Sequence, residues 1–164
     1  MTRLTLVMAI VAVLAACGGN GRPTTGGLFN KKEIPLDNYT AEQIFGRGEF
    51  ELDNGNASEA AYYFSEIERL YPYSDWARRA LIMQAFSYHS DKDYPNSRSA
   101  AQRFIDFYPD DDDAAYAQYL LALSYYDQID EVGRDQGLTF QALQALREVI
   151  ERYPDSEYAK SSIL

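Results

Sequence analysis

Cys17, His89 and the carboxylate run 110–113 are the residues of this chain whose types could carry chemistry. The chain has one cysteine and one histidine. A structural zinc site wants four nitrogen or sulfur ligands, and these two cannot supply it. An intrachain disulfide is excluded for the same reason. Asp110, Asp111, Asp112 and Asp113 could hold calcium, but EF-hand spacing and its central glycine are missing. Carboxylates in a row also suit the start of a helix, where the dipole favours negative charge. His89 stands between Ser87 and Ser90 without the pattern of a nucleophile and its base. No glycine-rich phosphate loop follows a strand, because no strand pattern is evident. The expectation is no metal, no cofactor and no catalysis, which leaves the Cys17 thiol as the one reactive atom with a telling context.

That context is the leader MTRLTLVMAIVAVLAAC. Arg3 gives a positive start, and Leu4 to Val13 is apolar apart from Thr5. The run is short for a membrane span and fits the apolar region of a signal peptide. Leu14-Ala15-Ala16-Cys17 resembles a lipobox. Small residues enter the peptidase cleft, and the thiol takes the diacylglyceryl group. The resemblance implies cleavage after residue 16 and acylation of both the Cys17 sulfur and its new amine. Several acyl chains anchor stably where one does not. Gly18 in place of aspartate is compatible with outer-membrane sorting. Residues 18–27 (GGNGRPTTGG) contain five glycines and read as part of a tether over 17–38. About twenty such residues span roughly 25 Å.

The formal charge of -10 makes nucleic acid an unsuitable partner, since phosphate backbones are repelled. Hydrophobic residues at 46% are enough for a core. Fourteen tyrosines suit helix-pair surfaces, where one edge is apolar and the other wet.

The elements that must position these side chains come as repeats. Tyr71-Pro72, Tyr108-Pro109 and Tyr153-Pro154 recur at intervals of 37 and 45 residues. Periods in this range signal a solenoid. A shift of 37 places Asp75, Ala77, Ala80, Ala85, Ser87 and Tyr88 on Asp112, Ala114, Ala117, Ala122, Ser124 and Tyr125. Each unit reads as two helices. Thr40 and Gln43 form a capping-box pattern, and the first helix runs to about Leu52, where Asn54-Gly55 breaks it. Asn56 with Glu59 starts the second, and Pro72 ends it. Helices at about 75–90 and 94–107 make the second unit, and 112–128 and 139–152 the third. A long loop, Ile129 to Leu138, separates the last two, and a fourth unit opens at Asp155. The expected class is all-α, an α-α superhelix of about three repeats over 39–164. The final segment, 156–164, lacks a following partner helix and is expected to fray or self-associate.

Gly48, Ala60, Phe64 and Pro72, and again Ala85, Tyr88, Phe104 and Pro109, fall on positions of the tetratricopeptide repeat, which this array resembles. Arg47 departs from the pattern, where leucine is usual. In such arrays the first helix of each repeat lines an inner groove. Carried onto this sequence, the lining is Glu42, Phe45, Glu49 and Leu52; then Arg79, Ile82, Phe86 and His89; then Tyr116, Tyr119, Leu123 and Tyr126. Two readings stand. The aromatics form a peptide groove, with Arg79 and His89 available to a carboxylate. Alternatively, neighbouring helices or the long loop cover them. Tyr88 and Tyr125 are expected in the core.

A narrower resemblance rests on the lipobox leader, the tether, YPYSDWARRA (71–80) and SYYDQIDEVGRDQ (124–136). Together these are similar to the BamD (ComL/YfiO) family of outer-membrane assembly lipoproteins. The resemblance implies a lipid-anchored protein at the periplasmic face of the outer membrane. It implies unfolded β-barrel substrates and, as partners, a BamA-like barrel protein and other assembly lipoproteins. The family normally has five repeats, and this sequence ends inside the fourth, which puts the BamA-docking half in doubt. Arg134 and Asp135 in the long loop are candidate contacts for another lipoprotein, or a local ion pair that only orders the loop. Two other classes compete. One is a generic envelope scaffold such as the Tol-Pal coordinators, which usually lack a lipobox. The other is an enzyme whose catalytic part lies outside this sequence.

Overall fold

The computed structural model describes residues 35–132 and 136–163. Cys17, Arg134 and Asp135 lie outside the described residues. A short 3-10 turn, Leu36–Asn38, precedes seven α-helices among the described residues: α1 Ala41–Asp53, α2 Ala57–Leu70, α3 Asp75–Ser90, α4 Tyr94–Phe107, α5 Ala114–Val132, α6 Gln136–Arg152 and α7 Glu157–Ser161. The architecture is the expected all-α superhelix of helix-turn-helix repeats.

The repeat is visible in the hydrogen bonds of its joints. At each Tyr-Pro pair the tyrosine N–H closes the preceding helix, from Tyr71 to Ile67 O, Tyr108 to Phe104 O and Tyr153 to Val149 O. Three residues on, the N–H of Ser74, Asp111 or Ser156 returns to the tyrosine carbonyl, at 3.1, 3.2 and 3.0 Å. The proline forbids continuation, and the next helix begins directly after Ser74 and Ser156, and at Ala114 after the middle joint. Ser74 and Ser156 cap that helix by accepting from Ala77 N and Ala159 N. Asp111 takes the same place in the middle joint, where its Oδ1 accepts from Asp113 N at 2.9 Å and its Oδ2 pairs with Arg78 of α3 at 2.8 Å. The acidic run thus precedes α5 and is partly neutralised by an arginine from the repeat before.

The turns within repeats correspond as well. Gly55 has φ of 79° and its equivalent Lys92 has φ of 62°. That is the left-handed conformation, which a glycine adopts freely and a lysine at a cost of about 1–2 kcal/mol.

Two expectations need correction. The capping box at Thr40 is complete, but Asn56 makes no side-chain cap; its amide donates to Glu51 Oε2 instead, at 2.7 Å. The long loop is mostly helix: α5 continues to Val132 and α6 begins at Gln136. No proline or glycine stands between Ile129 and Val132 to stop a helix already propagating.

Helices pack in sequence order, each on the next, and in addition α1 meets α3, α3 meets α5 and α5 meets α7. Successive even helices make at most slight contact. The stack therefore curves with the odd helices on the inside. Its core has two clusters. One gathers Ile44, Phe45, Phe64, Ile67 and Ala80. The other gathers Leu81, Ile82, Phe104, Leu120, Leu146 and Val149. Met83 touches both. Phe64 and Phe104 are fully buried, and each contributes about 1.5–3 kcal/mol by leaving water.

Candidate functional site: the inner face of the odd helices

At 100° per residue, positions three and four apart on each odd helix share one stripe. On α1 they are Glu42, Gly46 and Glu49, all exposed. On α3 they are Arg79 and Phe86, exposed, with half-buried Met83 between. On α5 they are Tyr116 and Leu123, half-buried, with Leu120 buried between. The face runs from acidic on the first repeat, through a cation and an aromatic on the second, to apolar on the third.

The structure divides the expected groove residues into three groups. Phe45 and Ile82 are buried in the core and do not reach the open face. Their register position is the one that packs on the next odd helix. Phe45 meets Phe64 at 5.2 Å and Trp76 at 5.0 Å between ring centroids. Tyr116 and Tyr119 are half-covered by Tyr158 of α7, with centroids 5.2 and 5.5 Å away. Burial, then Tyr158 and the charge of Asp113, push the Tyr116 phenol up to about 12. Phe86 at 36% and Tyr126 at 43% relative exposure remain open to solvent.

The two basic side chains have different fates. His89 Nε2 lies 3.0 Å from Asp127 Oδ2 on α5, at ion-pair distance but without hydrogen-bond alignment. The ring also meets Tyr94 edge-on at 5.6 Å. His89 is thus engaged between repeats. Ser87 and Ser90 donate their hydroxyls to Met83 O and Phe86 O of their own helix. Arg79 is different. Its guanidinium lies over Phe45 at 4.9 Å and over Trp76 at 4.7 Å, and no carboxylate pairs with it among the described residues. Cation–π contact orients the fork without neutralising it.

Trp76, Gly46 and Tyr158 are the residues of this face that sequence reasoning missed. The shift of 37 that aligned the alanines also places Gly46 on Met83 and Tyr39 on Trp76. That alignment carried the signal for the first two. Tyr158 could not be found so, because the interval of 45 places it on Asp113. Tyr88 and Tyr125 are half-buried rather than core; Arg98 covers Tyr125 at 4.4 Å. Among the described residues, no group of three His, Cys, Asp or Glu could hold a metal ion. No described helix is long and apolar enough to cross a membrane.

Residues 37–163 match the family described as YfiO, outer membrane lipoprotein. The chain belongs to the YfiO family of outer membrane lipoproteins. A protein of Caulobacter vibrioides named outer membrane protein assembly factor BamD is 40% identical over 157 residues, which cover 96% of this chain and 50% of that protein. The protein of the same name from Rickettsia prowazekii is 32% identical over 139 residues, covering 85% of this chain and 55% of its own length. One from Neisseria meningitidis serogroup A is 25% identical over 169 residues, covering 97% and 61%. The chain therefore spans about half the length of the curated YfiO-family relatives it matches. The family match covers every helix described above, including the inner face with Arg79 and Phe86.

Proposed function

We propose that this chain works in outer-membrane β-barrel assembly as a lipid-anchored subunit on the periplasmic side of the outer membrane. Cys17 carries the anchor, and the repeats hold unfolded barrel proteins and fellow subunits, a BamA-like barrel protein and other assembly lipoproteins among them. The names of the relatives support the assembly role. The single observation that carries substrate binding is that Phe86 and Tyr126 stay open to solvent, while Arg79, on the same helix as Phe86, meets two rings and no carboxylate among the described residues. Strands of membrane barrels alternate apolar and polar side chains, so an unfolded segment presents one apolar edge to such a face. Affinity is modest, because an extended peptide loses conformational entropy on binding.

Fluorescence anisotropy with a labelled peptide copied from a barrel strand, against a scrambled control, tests this. Phe86→Ala and Tyr126→Ala each weaken binding by about 1–3 kcal/mol if these rings are anchors. Equal affinity for strand and scramble rejects the groove. The loop residues Arg134 and Asp135 belong to the subunit-contact half of the proposal. Unchanged co-purification of all accessory lipoproteins with Arg134→Ala and Asp135→Ala rejects that half.

A further inference from the structure

Tyr73 has no reason within the fold to be tyrosine. It follows Pro72 in the first joint, and at 101% relative exposure it is the most open of the large apolar side chains described. The same place after the proline holds Asp110 in the second joint and Asp155 in the third, both exposed. The three joints share one pattern of backbone hydrogen bonds. That pattern closes as well on a carboxylate as on a ring, so the joint itself does not call for the aromatic.

The joints lie along one edge of the stack, and the chain enters the repeats at the same edge. Asp37 of the 3-10 turn stands 3.9 Å from Arg69 at the end of α2, and the Tyr71 hydroxyl donates to Tyr39 O. Arg78, just after the first joint, pairs with Asp111 of the second. Tyr158, just after the third joint, meets Tyr116, which follows the second, at 5.2 Å. The turns at Gly55 and Lys92 are at the opposite ends of their helices. Phe107, the last residue of α4, is 64% exposed on the joint edge.

We propose that the joint edge rests on a lipid bilayer, with the Tyr73 ring in the headgroup layer. The inference rests on the Cys17 anchor proposed above. Seventeen residues, 18–34, connect Cys17 to Pro35 at this edge, and a linker of that length spans roughly 20–25 Å. An anchored chain therefore carries this edge to the bilayer, and a contact too weak to hold alone becomes effectively intramolecular. Tyrosine fits the place, with an apolar ring and a polar hydroxyl for a boundary that is apolar on one side and wet on the other. Residues 71–74 carry no charged side chain, whereas Asp110, Asp112 and Asp113 are exposed at the second joint and Asp155 at the third. Carboxylates are costly to desolvate and are repelled by anionic headgroups, so the edge tilts with its first joint against the lipid.

The test uses the full lipidated chain in vesicles of phosphatidylcholine and phosphatidylethanolamine, with and without bromine on the acyl chains. Bromine quenches an indole that reaches the lipid. Tyr73→Trp, Phe107→Trp and Phe50→Trp are each made with Trp76→Phe, which removes the one native tryptophan. Phe50 is an exposed aromatic about 14 Å along α1 from Ala41, toward the opposite edge. Brominated lipid lowers the emission of Tyr73→Trp about twofold or more, that of Phe107→Trp less, and that of Phe50→Trp not at all. Asp110→Asn with Asp112→Asn increases the quenching of Phe107→Trp. A second readout leaves the fold unaltered. In the unmutated chain on the same vesicles, hydroxyl radicals label Tyr73 less than Tyr62, although Tyr73 is the more exposed of the two in the fold. Vesicle-bound protein with equal quenching at positions 73 and 50, or with Tyr73 labelled more than Tyr62, overturns the lipid contact. The anchor then stands, and Tyr73 is left to a protein partner. A chain that does not sediment with the vesicles overturns both.

Discussion

A Cβ added to Gly48 would stand 2.6 Å from Cε1 and 2.7 Å from Cζ of the Phe64 ring. The two helices of the first repeat are in ring-to-backbone contact there. The equivalent residues, Ala85 and Ala122, are fully buried and carry one methyl each. The first repeat is tighter than its successors because it buries an aromatic ring where the others bury Ala101 and Leu146.

Gly48→Ala therefore overpacks this joint and lowers stability by about 1–3 kcal/mol in chemical denaturation. Phe64→Leu made in the same chain relieves part of that loss, so the two changes are not additive. A Gly48→Ala protein within about 0.5 kcal/mol of the parent means that the helices separate freely, and the close approach has no energetic weight.

Arg98 ties the second repeat to the third. Its guanidinium covers Tyr125 at 4.4 Å and donates to Ser124 O at 2.9 Å and Gln128 Oε1 at 2.8 Å. Arg98→Ala loses the ring contact and both hydrogen bonds, for a combined cost of about 1–3 kcal/mol. Arg98→Lys recovers little, because an ammonium lacks the planar fork. Full stability of the lysine variant is the result that counts against this.

Tyr116 makes alkaline stability a probe of α7. Burial raises its phenol to about 12 in the folded chain, above the ordinary value of 10. The group keeps its proton in the fold and loses it first in the unfolded chain. Its contribution is thus complete below pH 10 and is lost as pH rises through about 12. The Tyr158 phenol is raised too, by burial first and then by Glu157. Thermal midpoints measured across pH 9–11.5 fall less steeply for Tyr116→Phe than for the parent. Parallel curves for the two proteins show that α7 does not shield this ring in solution.

Cys17 is predicted to be the first residue of the mature protein and to carry the acyl chains. Mass spectrometry of the mature amino terminus finds a diacylglyceryl thioether and an acylated amine at this position. Cys17→Ala leaves an uncleaved precursor or an unanchored protein. A free thiol, or cleavage at another bond, removes the anchor from the proposed function.

Much of the helical unit is legible in the sequence, and the reason is local. The Tyr-Pro joints, the Thr40–Gln43 box and the alanine spacing act within a few residues of chain, and the structure realises each of them. The failures have the same explanation in reverse. Asn56 was expected to cap by type, but Glu51 in the preceding turn competes for its amide. The stretch Ile129 to Leu138 was expected to leave the helix because it exceeds the repeat length, yet period says nothing about where a helix ends.

The inner face was decided by tertiary structure. Residue type and spacing nominate Phe45, Ile82, Phe86, Tyr116, Tyr119 and Tyr126 equally. Only the packing of one odd helix on the next separates them, burying Phe45 and Ile82, covering Tyr116 and Tyr119 with Tyr158, and leaving Phe86 and Tyr126 open. The same holds for the two basic side chains: His89 meets Asp127 across repeats, and among the described residues Arg79 meets rings and no carboxylate. By itself the sequence determined the period, the helices and the core alanines, because each of these is set by neighbours in the chain. Which side chains face solvent depends on partners more than thirty residues away, such as Asp127 for His89 and Tyr158 for Tyr119, and burial by such partners carries no period that a sequence displays.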